Sequence, residues 1–379
     1  MNSKKHFAKS KKIDFCEMKM YNFTRGDNLK TKTIKRKYLQ DVIDVMGTPD
    51  IKVITGVRRS GKSELLHMFI DYIKETDNNS NIIYIDYNLY EFEELKQYNK
   101  LIEYVSEKYN KEKNNFVLID EVQMCDGFEN AINNFHAERK YDIYITGSNA
   151  FLLSSDLATL FTGRTYSIEV YPFSYQEFLE YHNLDNNTEN YDRYVLEGGF
   201  SGSYLYKEVE KKYNYIRDVY KTMIVRDIVQ RNKVQNVPLL DSISDFLIDN
   251  ISRLTSYRSL TDTLNANKTD TNDKTVGTYI KYLCEAFAFY RIRRYDIQGK
   301  KYLNTQDKYY LSDHAVKYAI QGIKNMNYGS IYENIVAMEL LRRGYEVYVG
   351  VLYGKEIDFV AMKRNEKIYI QVSDNKYRK

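Results

Sequence analysis

The sequence has few cysteines and no long apolar run, and each shortage excludes a class of protein. Its three cysteines, Cys16, Cys125 and Cys284, are far apart and form no CxxC pair. A structural zinc site or a disulfide framework is therefore not expected, and the composition fits a reducing cytoplasm. No apolar stretch approaches the roughly 20 residues that a membrane-spanning helix needs, so no membrane association is predicted.

What the chain does have is the composition of an ordinary globular protein. Its 379 residues are 43% hydrophobic and 28% charged, enough for two or three domains. The net charge is only +4, but residues 1–40 hold twelve Lys and Arg against three acidic residues. We interpret residues 1–28 as a basic, disordered tail that is simply solvated, or alternatively as an arm that contacts a polyanion. The tail has no apolar segment of the kind that signal peptides carry.

Short apolar strands alternate with helices through the first half of the chain. Strands are predicted at residues 51–55, 81–87, 116–120, 143–147 and 166–171, with helices beginning near Lys62, Leu95, Gly127 and Ser155. Another helix is predicted at residues 33–46. Strands that are apolar on both faces and separated by helices are typical of a parallel sheet covered on both sides. We therefore expect an α/β domain at residues 29–182.

A phosphate-binding motif follows the first predicted strand. Residues 56–63 read GVRRSGKS and match G-x-x-x-x-G-K-[ST], with a strand before the loop and a helix after it. In this motif, backbone N–H groups of the loop point at phosphate oxygens, the lysine reaches the β- and γ-phosphates, and the last hydroxyl ligates Mg²⁺. The predicted nucleotide-binding residues are Gly56, Arg58, Arg59, Ser60, Gly61, Lys62 and Ser63.

Two carboxylates at the end of a buried strand complete the predicted site. Residues 116–121 read FVLIDE, four apolar residues that lead into Asp120 and Glu121. A strand in this position brings Asp120 beside the loop, where it can hold Mg²⁺ together with Ser63. Glu121 is then placed to polarise the attacking water. The sequence thus predicts a site for ATP with Mg²⁺.

Two further elements of the site are predicted, at Ser148 with Asn149 after the fourth predicted strand and at Arg164 before the fifth. The strand at residues 143–147 ends in Ser148 and Asn149, which can hydrogen-bond the γ-phosphate or the lytic water, or can instead cap the following helix. Arg164 lies before the next strand and can act as an arginine finger, within the chain or on a neighbouring subunit, or can be a solvated loop residue. A finger supplied by a neighbour would require a homo-oligomer.

The second half of the chain divides into three predicted parts. Residues 183–238 form a polar linker and a helical segment. Residues 239–312 give three helices and two β-like runs, the element order of a winged helix-turn-helix. Between Arg291 and Lys308 there are six Lys and Arg against two Asp, so DNA contact is one interpretation, and a solvated hairpin or a protein-binding winged helix are the others. Residues 313–379 are a helix followed by strands.

Several motifs in a fixed order resemble those of a known family. They are the loop at residues 56–63, LIDE at 118–121, ITGS at 145–148, Gly163 with Arg164, YPFSYQEF at 171–178 and GGFSG at 198–202. With these motifs the chain resembles the prokaryotic AAA-type ATPases related to the archaeal ATPase group. The resemblance implies an AAA-type parallel sheet, ATP binding and hydrolysis, a winged-helix middle, and a partial C-terminal domain similar to PD-(D/E)xK nucleases.

The nuclease motif is incomplete in this sequence. Glu333 matches the helix acid and Asp358 the metal-binding aspartate, but the acid-x-Lys of the next strand is replaced by Gln371 and Ser373. An amide is a poorer Mg²⁺ ligand than a carboxylate, and serine lacks the charge that activates water. We therefore expect an inactive domain. Two hypotheses remain: an ATPase coupled to a DNA-associated module, or a slow ATP-loaded switch whose C-terminal half binds protein.

Overall fold

The computed structural model describes residues 33–148, 161, 163–299, 301–323 and 326–373, without the side chains of residues 301–305. The predicted basic tail, Asn149 and the helix expected near Ser155 lie outside these residues. Within the described part of the chain, no helix is both long and apolar enough to span a membrane.

The first half of the chain folds around a five-stranded sheet whose paired strands are all parallel, in the order β2-β3-β4-β1-β5. This confirms the predicted α/β fold. The order also places the strand that leads into the phosphate-binding motif beside the strand that ends near Ser148. Its strands are β1 (Ile51–Thr55), β2 (Ser80–Asp86), β3 (Asn114–Asp120), β4 (Tyr141–Gly147) and β5 (Thr165–Glu169).

Helices cover both faces of this sheet. Alternate residues of a strand point to opposite faces, so Val117 and Ile119 of β3 join one core while Phe116 and Leu118 join another. Two helices cover each of these cores, which is why the strands read as continuous apolar runs. The helices are α1 (Lys37–Asp44) and α2 (Lys62–Thr76) on one face, and α3 (Tyr98–Glu107) and α4 (Phe128–Glu138) on the other.

A helical region follows the sheet, and its core includes one residue of the phosphate-binding loop. Val57 of that loop is fully buried in the same cluster as Ile216 and Ile228. A π-helix at Met223–Gln230 continues α7 without a break, and such segments are rare and often lie at functional sites. The α-helices are α5 (Tyr175–His182), α6 (Thr188–Glu197), α7 (Val209–Thr222), α8 (Val237–Asp249), α9 (Tyr257–Ala266) and α10 (Asp273–Glu285).

A second five-stranded sheet unites two parts that the sequence divided at residue 312. Its order is β10-β9-β8-β6-β7, and the hairpin of β6 and β7 joins the C-terminal strands because β6 pairs in parallel with β8. Helices α11 (Ala315–Gln321), which we did not predict, and α12 (Tyr328–Arg342) connect the two halves. The strands are β6 (Phe289–Asp296), β7 (Lys301–Leu311), β8 (Glu346–Leu352), β9 (Lys355–Lys363) and β10 (Glu366–Ile370).

Candidate functional site

The loop between β1 and α2 has the backbone that the motif requires. Gly56 has φ +136° and lies so close to the next segment that a Cβ atom would be 2.1 Å from the carbonyl oxygen of Val170. Gly61 caps α2 with φ +100°, a conformation that disfavours any residue with a side chain. The first turn of α2 therefore begins at the loop, where its free N–H groups form an anion-binding position.

Lys62 lies inside this loop. Its Nζ donates to the carbonyl oxygens of Gly56 at 2.9 Å and Val57 at 3.1 Å, and the side chain is 4% exposed. Burial lowers the pKa of Lys62, while the nearby Glu121 and Asp120 oppose that shift. Among the described residues, this buried ammonium hydrogen-bonds only to carbonyl oxygens, so it is suited to a phosphate, whose negative charge compensates it better.

Asp120 is the residue best placed to hold a cation. Burial raises the pKa of Asp120, and the neighbouring hydroxyls of Ser63 and Thr146 oppose this rise. Thr146 Oγ1 donates to Oδ1, whereas Oδ2 is buried with no hydrogen-bond partner among the described residues. A fully buried carboxylate oxygen beside a hydroxyl is a donor set that suits Mg²⁺, which retains several waters and uses one or two protein ligands. Thr146 was not predicted as a site residue.

Glu121 follows Asp120 in a left-handed backbone conformation, with φ +56°. Its backbone N–H donates to Thr146 Oγ1 at 3.0 Å, so the same threonine fixes both acids. The Glu121 carboxylate accepts from Gln123 Nε2, and Ser148 Oγ lies 3.5 Å from it. The structure thus brings Ser148 to Glu121, as the strand order predicts, and adds Gln123 as a second polar neighbour.

The two loop arginines have different surroundings. Arg58 makes a two-bond ion pair with Asp227 of the π-helix, with Nε at 2.9 Å from Oδ2 and Nη2 at 2.6 Å from Oδ1. Both side chains are largely buried, at 19% and 8% exposed. Arg59 is exposed, with φ +66°. The sequence pattern predicts no partner for either arginine, since Asp227 lies 169 positions from Arg58.

Arg36 hydrogen-bonds the phosphate-binding loop and connects it to the segment after β5. It was not among the residues predicted from the sequence. Its Nη1 donates to the carbonyl oxygen of Ser60 at 2.7 Å, and Nη2 to that of Tyr171 at 2.7 Å. Its Nε donates to Glu177 at 2.6 Å. Glu177 also forms a capping box with Ser174 at the start of α5, which gives the YPFSYQEF motif a structural role. Burial alone would raise the pKa of Glu177, but Arg36 outweighs it and the pKa falls below its usual value.

A cleft of about 590 Å³ lies along these residues. Its polar wall includes Arg58, Lys62, Ser63 and Glu121, and Arg226 of the π-helix also reaches it. A second cleft, of about 510 Å³, adjoins it beyond Glu121 and shares Arg58, Asn88 and Arg226. The remaining wall is largely apolar and aromatic, as expected for a base and sugar: Ile34, Tyr38, Leu65, Met68, Val170, Phe173, Tyr181, Leu205 and Tyr215.

Arg164 does not reach this site within the chain. It precedes β5, whose first residue pairs with Ile51 at the start of β1, whereas the loop follows the end of β1. The length of the strand, roughly 15 Å, therefore separates them. The structure therefore does not bring Arg164 to the loop within the chain, and its role as a finger stays a prediction. Asn149 lies outside the described residues.

The predicted nuclease acids, Glu333 and Asp358, both bond to other groups of the protein, and the cation beside Glu333 is the ammonium of Lys308. Glu333 accepts from Lys308 Nζ at 2.8 Å and from the Tyr310 hydroxyl at 2.6 Å, and Lys308 also pairs with Glu356 at 2.7 Å. Asp358 accepts from Gln371 Nε2 and from the backbone N–H of Val372, both at 2.7 Å. No group of three or more acidic, His or Cys side chains in the described part of the chain is arranged to hold a metal ion. A nuclease-like domain is not supported.

Comparison with known proteins agrees with this geometry. The family model of the AAA domain matches residues 48–179, which contain the loop, Asp120, Glu121 and Ser148. An uncharacterised protein of Haemophilus influenzae is 38% identical over 345 residues, which cover 89% of this chain and 86% of that protein. The chain belongs to the same family as the Haemophilus protein. Its first half is thus a P-loop domain of the AAA type.

The remaining comparisons add architecture but no activity. Residues 188–327 match a domain of unknown function, DUF8612, so the helical region and the hairpin fall in one family domain. An uncharacterised Methanocaldococcus jannaschii protein is 26% identical over 369 residues, covering 91% of this chain and 79% of that protein. The AMPPCP-bound DnaA of Aquifex aeolicus aligns with 66% of this chain and 86% of its own at 16% identity, with a TM-score of 0.33. A score this low supports no functional inference.

Proposed function

We propose that this AAA-type protein is a Mg²⁺-dependent ATPase that couples its nucleotide state to a DNA-associated C-terminal module. The observation that carries the proposal is the arrangement around the loop: Lys62 faces the phosphate position, Asp120 lies beside Ser63, and Glu121 is held one residue further along. In phosphoryl transfer to water, such groups bind the phosphates, hold the metal ion, and orient and activate the attacking water.

Mg²⁺ would be held by the Ser63 hydroxyl and by Asp120, directly or through water, and would neutralise charge on the β- and γ-phosphates. The residues of the chain perform the other tasks. Lys62 binds the terminal phosphates, and Glu121 orients the attacking water and accepts its proton. Thr146 acts through both acids, since it donates to Asp120 and accepts from the backbone of Glu121.

A continuous route of hydrogen bonds connects the nucleotide loop to the rest of the molecule. Arg36 joins the loop carbonyl of Ser60 to the segment that begins at Tyr171. That segment continues to Phe173, whose N–H donates to Gly199, and Gly199 in turn donates to Asp313 at 2.7 Å. These bonds reach the start of α11, between the two parts of the C-terminal sheet. A nucleotide-dependent shift of the loop would therefore have a direct path to the C-terminal module.

The DNA-associated part of the proposal rests on helices α8 to α10 and the hairpin of β6 and β7. The segment before α9 bridges the hairpin through reciprocal backbone bonds between Thr255 and Asp307, an arrangement compatible with a winged helix. Lys268, between α9 and α10, and Asn272 and Lys274, at the start of α10, are exposed, and Asn272 is also the N-cap of that helix. Such positions are suited to phosphate contacts.

ATP turnover with and without duplex DNA, together with a gel-shift over a salt series, tests this proposal. We expect Mg²⁺-dependent hydrolysis, stimulation by DNA, and DNA binding that weakens steeply as salt increases. Hydrolysis without stimulation or DNA binding would favour the alternative in which the C-terminal half binds protein. Absence of hydrolysis in every condition would refute the ATPase itself.

A further inference from the structure

We propose that Arg58 is a catalytic arginine supplied within the chain, which contacts the γ-phosphate as charge develops there, and that Asp227 is its positioning residue. This inference rests on the proposed ATPase function. It assigns to the loop itself the task predicted for Arg164, which the structure does not bring to the loop within the chain. It also gives the π-helix at Met223–Gln230 a role in turnover.

Arg58 occupies the right place for this task. It lines both the nucleotide cleft and the adjoining cleft, and these two share Arg58 and Glu121 among their walls. Burial opposes a rise in the pKa of Arg58, but Asp227 and, to a smaller extent, Glu121 raise it. Burial lowers the pKa of Lys62, and the charge of Arg58 adds a smaller contribution in the same direction. The guanidinium therefore lies near both the lysine that binds the terminal phosphates and the acid that orients the water.

The bonds to Asp227 leave part of the guanidinium available. A guanidinium has five N–H donors, and the two bonds use Nε and one N–H of Nη2. Within the described part of the chain, no hydrogen bond uses the two N–H groups of Nη1 or the second N–H of Nη2. Arg58 can thus donate to a phosphate oxygen without releasing Asp227, and the planar two-bond pair fixes the direction in which these donors point.

Asp227 lies in a buried position from which it can orient Arg58. It is 8% exposed on the π-helix, and its neighbour Ile228 is fully buried in the core that also contains Val57 of the loop. The loop and the π-helix are therefore packed together next to the ion pair. A donor that is already oriented requires little reorganisation when charge develops, which is the condition for strong transition-state stabilisation.

The test compares turnover with binding in four variants of the full chain: Arg58→Ala, Arg58→Lys, Asp227→Asn, and the double variant Arg58→Ala/Asp227→Asn. In Arg58→Ala we expect kcat to fall by about 10²- to 10³-fold, with ADP affinity within about threefold of the unsubstituted protein. Arg58→Lys should not rescue kcat, because an ammonium cannot hold Asp227 by two bonds and reach the phosphate as well. Asp227→Asn should lower kcat, and the double variant should be no slower than Arg58→Ala alone.

Arg193→Ala is the matched control. Arg193 also bonds a buried acid, Glu197, through Nε at 2.9 Å, but it lies on α6 and does not line the nucleotide cleft. We expect its removal to lower the melting temperature without changing kcat. ADP affinity reports whether each variant is folded at the site, so loss of ADP binding in Arg58→Ala would overturn the proposal by assigning Arg58 to folding or to ground-state binding.

The remaining outcomes distinguish failure of the Arg58 assignment from failure of the proposed ATPase function. If the unsubstituted protein hydrolyses ATP and Arg58→Ala keeps its kcat, the role of Arg58 is wrong and the ATPase stands. If the unsubstituted protein hydrolyses no ATP, the proposed function fails, and the role of Arg58 fails with it. If the two single substitutions multiply in the double variant, Asp227 does not act through Arg58.

Discussion

Replacing Arg36 with methionine should destabilise the protein strongly and weaken nucleotide binding. The guanidinium makes four hydrogen bonds, two of them to Glu177 and one each to the carbonyl oxygens of Ser60 and Tyr171. Arg36 is 8% exposed and Glu177 13%. Removing one member of a buried ion pair costs about 3–5 kcal/mol, because the other charge stays buried without compensation. Such a loss is a large part of the stability of a typical domain.

Urea unfolding measures this effect. With a slope of about 3 kcal/mol per molar urea, the midpoint should fall by more than about 1 M. The double variant Arg36→Met/Glu177→Met should recover much of the loss, because it removes both charges. ATP affinity should fall by about tenfold in the single variant under native conditions, since Arg36 also holds the loop carbonyl of Ser60. A single variant within about 1 kcal/mol of the unsubstituted protein, or a double variant that is equally unstable, would refute this reasoning.

Three further predictions follow from other contacts. The pKa of Glu177 is lowered in the folded state, so its stabilisation is present above its unfolded pKa and is lost as the pH falls through the lower folded value; the stability difference between the unsubstituted protein and Glu177→Gln should thus vanish in strong acid. In Gly199→Ala the new Cβ would lie 2.3 Å from the Phe173 carbonyl oxygen, so we expect a loss of about 1–3 kcal/mol by calorimetry, whereas Gly329→Ala in α12 should be tolerated. Lys308→Met leaves Glu333 and Glu356 without the ammonium that pairs with them and should lower the melting temperature. Adding Glu333→Gln should restore part of the loss. An unchanged melting temperature in Lys308→Met would contradict the role of Lys308 as the cation that neutralises these acids.

The first sheet could be predicted from the sequence because each of its strands is recognisable from a few consecutive residues. A strand that is buried on both faces is largely apolar, so the strands at residues 51–55 and 116–120 were each recognisable although they contain the buried Lys52 and Asp120. The chemistry of the site was equally local, since Lys62 and Ser63 belong to one motif and Asp120 and Glu121 to another. The parallel order of strands then brought these motifs together without further information.

The residues that were missed act over long distances in sequence. Arg36 and Glu177 are 141 positions apart, and Arg58 and Asp227 are 169 positions apart. The ion-pair partner of an arginine or aspartate cannot be predicted from its neighbours in sequence, because the tertiary fold determines which charged side chains meet. The hairpin of β6 and β7 illustrates the same limit: each strand was predicted, but its membership in the C-terminal sheet depends on pairing with β8.

Turnover and nucleotide binding in Glu121→Gln test the central claim most directly. The account assigns water activation to the carboxylate of Glu121, whereas nucleotide binding depends on the loop and Lys62. The substituted protein should therefore bind ATP with an affinity within a few fold of the unsubstituted protein, and should retain it unhydrolysed. ATP hydrolysis at an unchanged rate in Glu121→Gln would contradict the account.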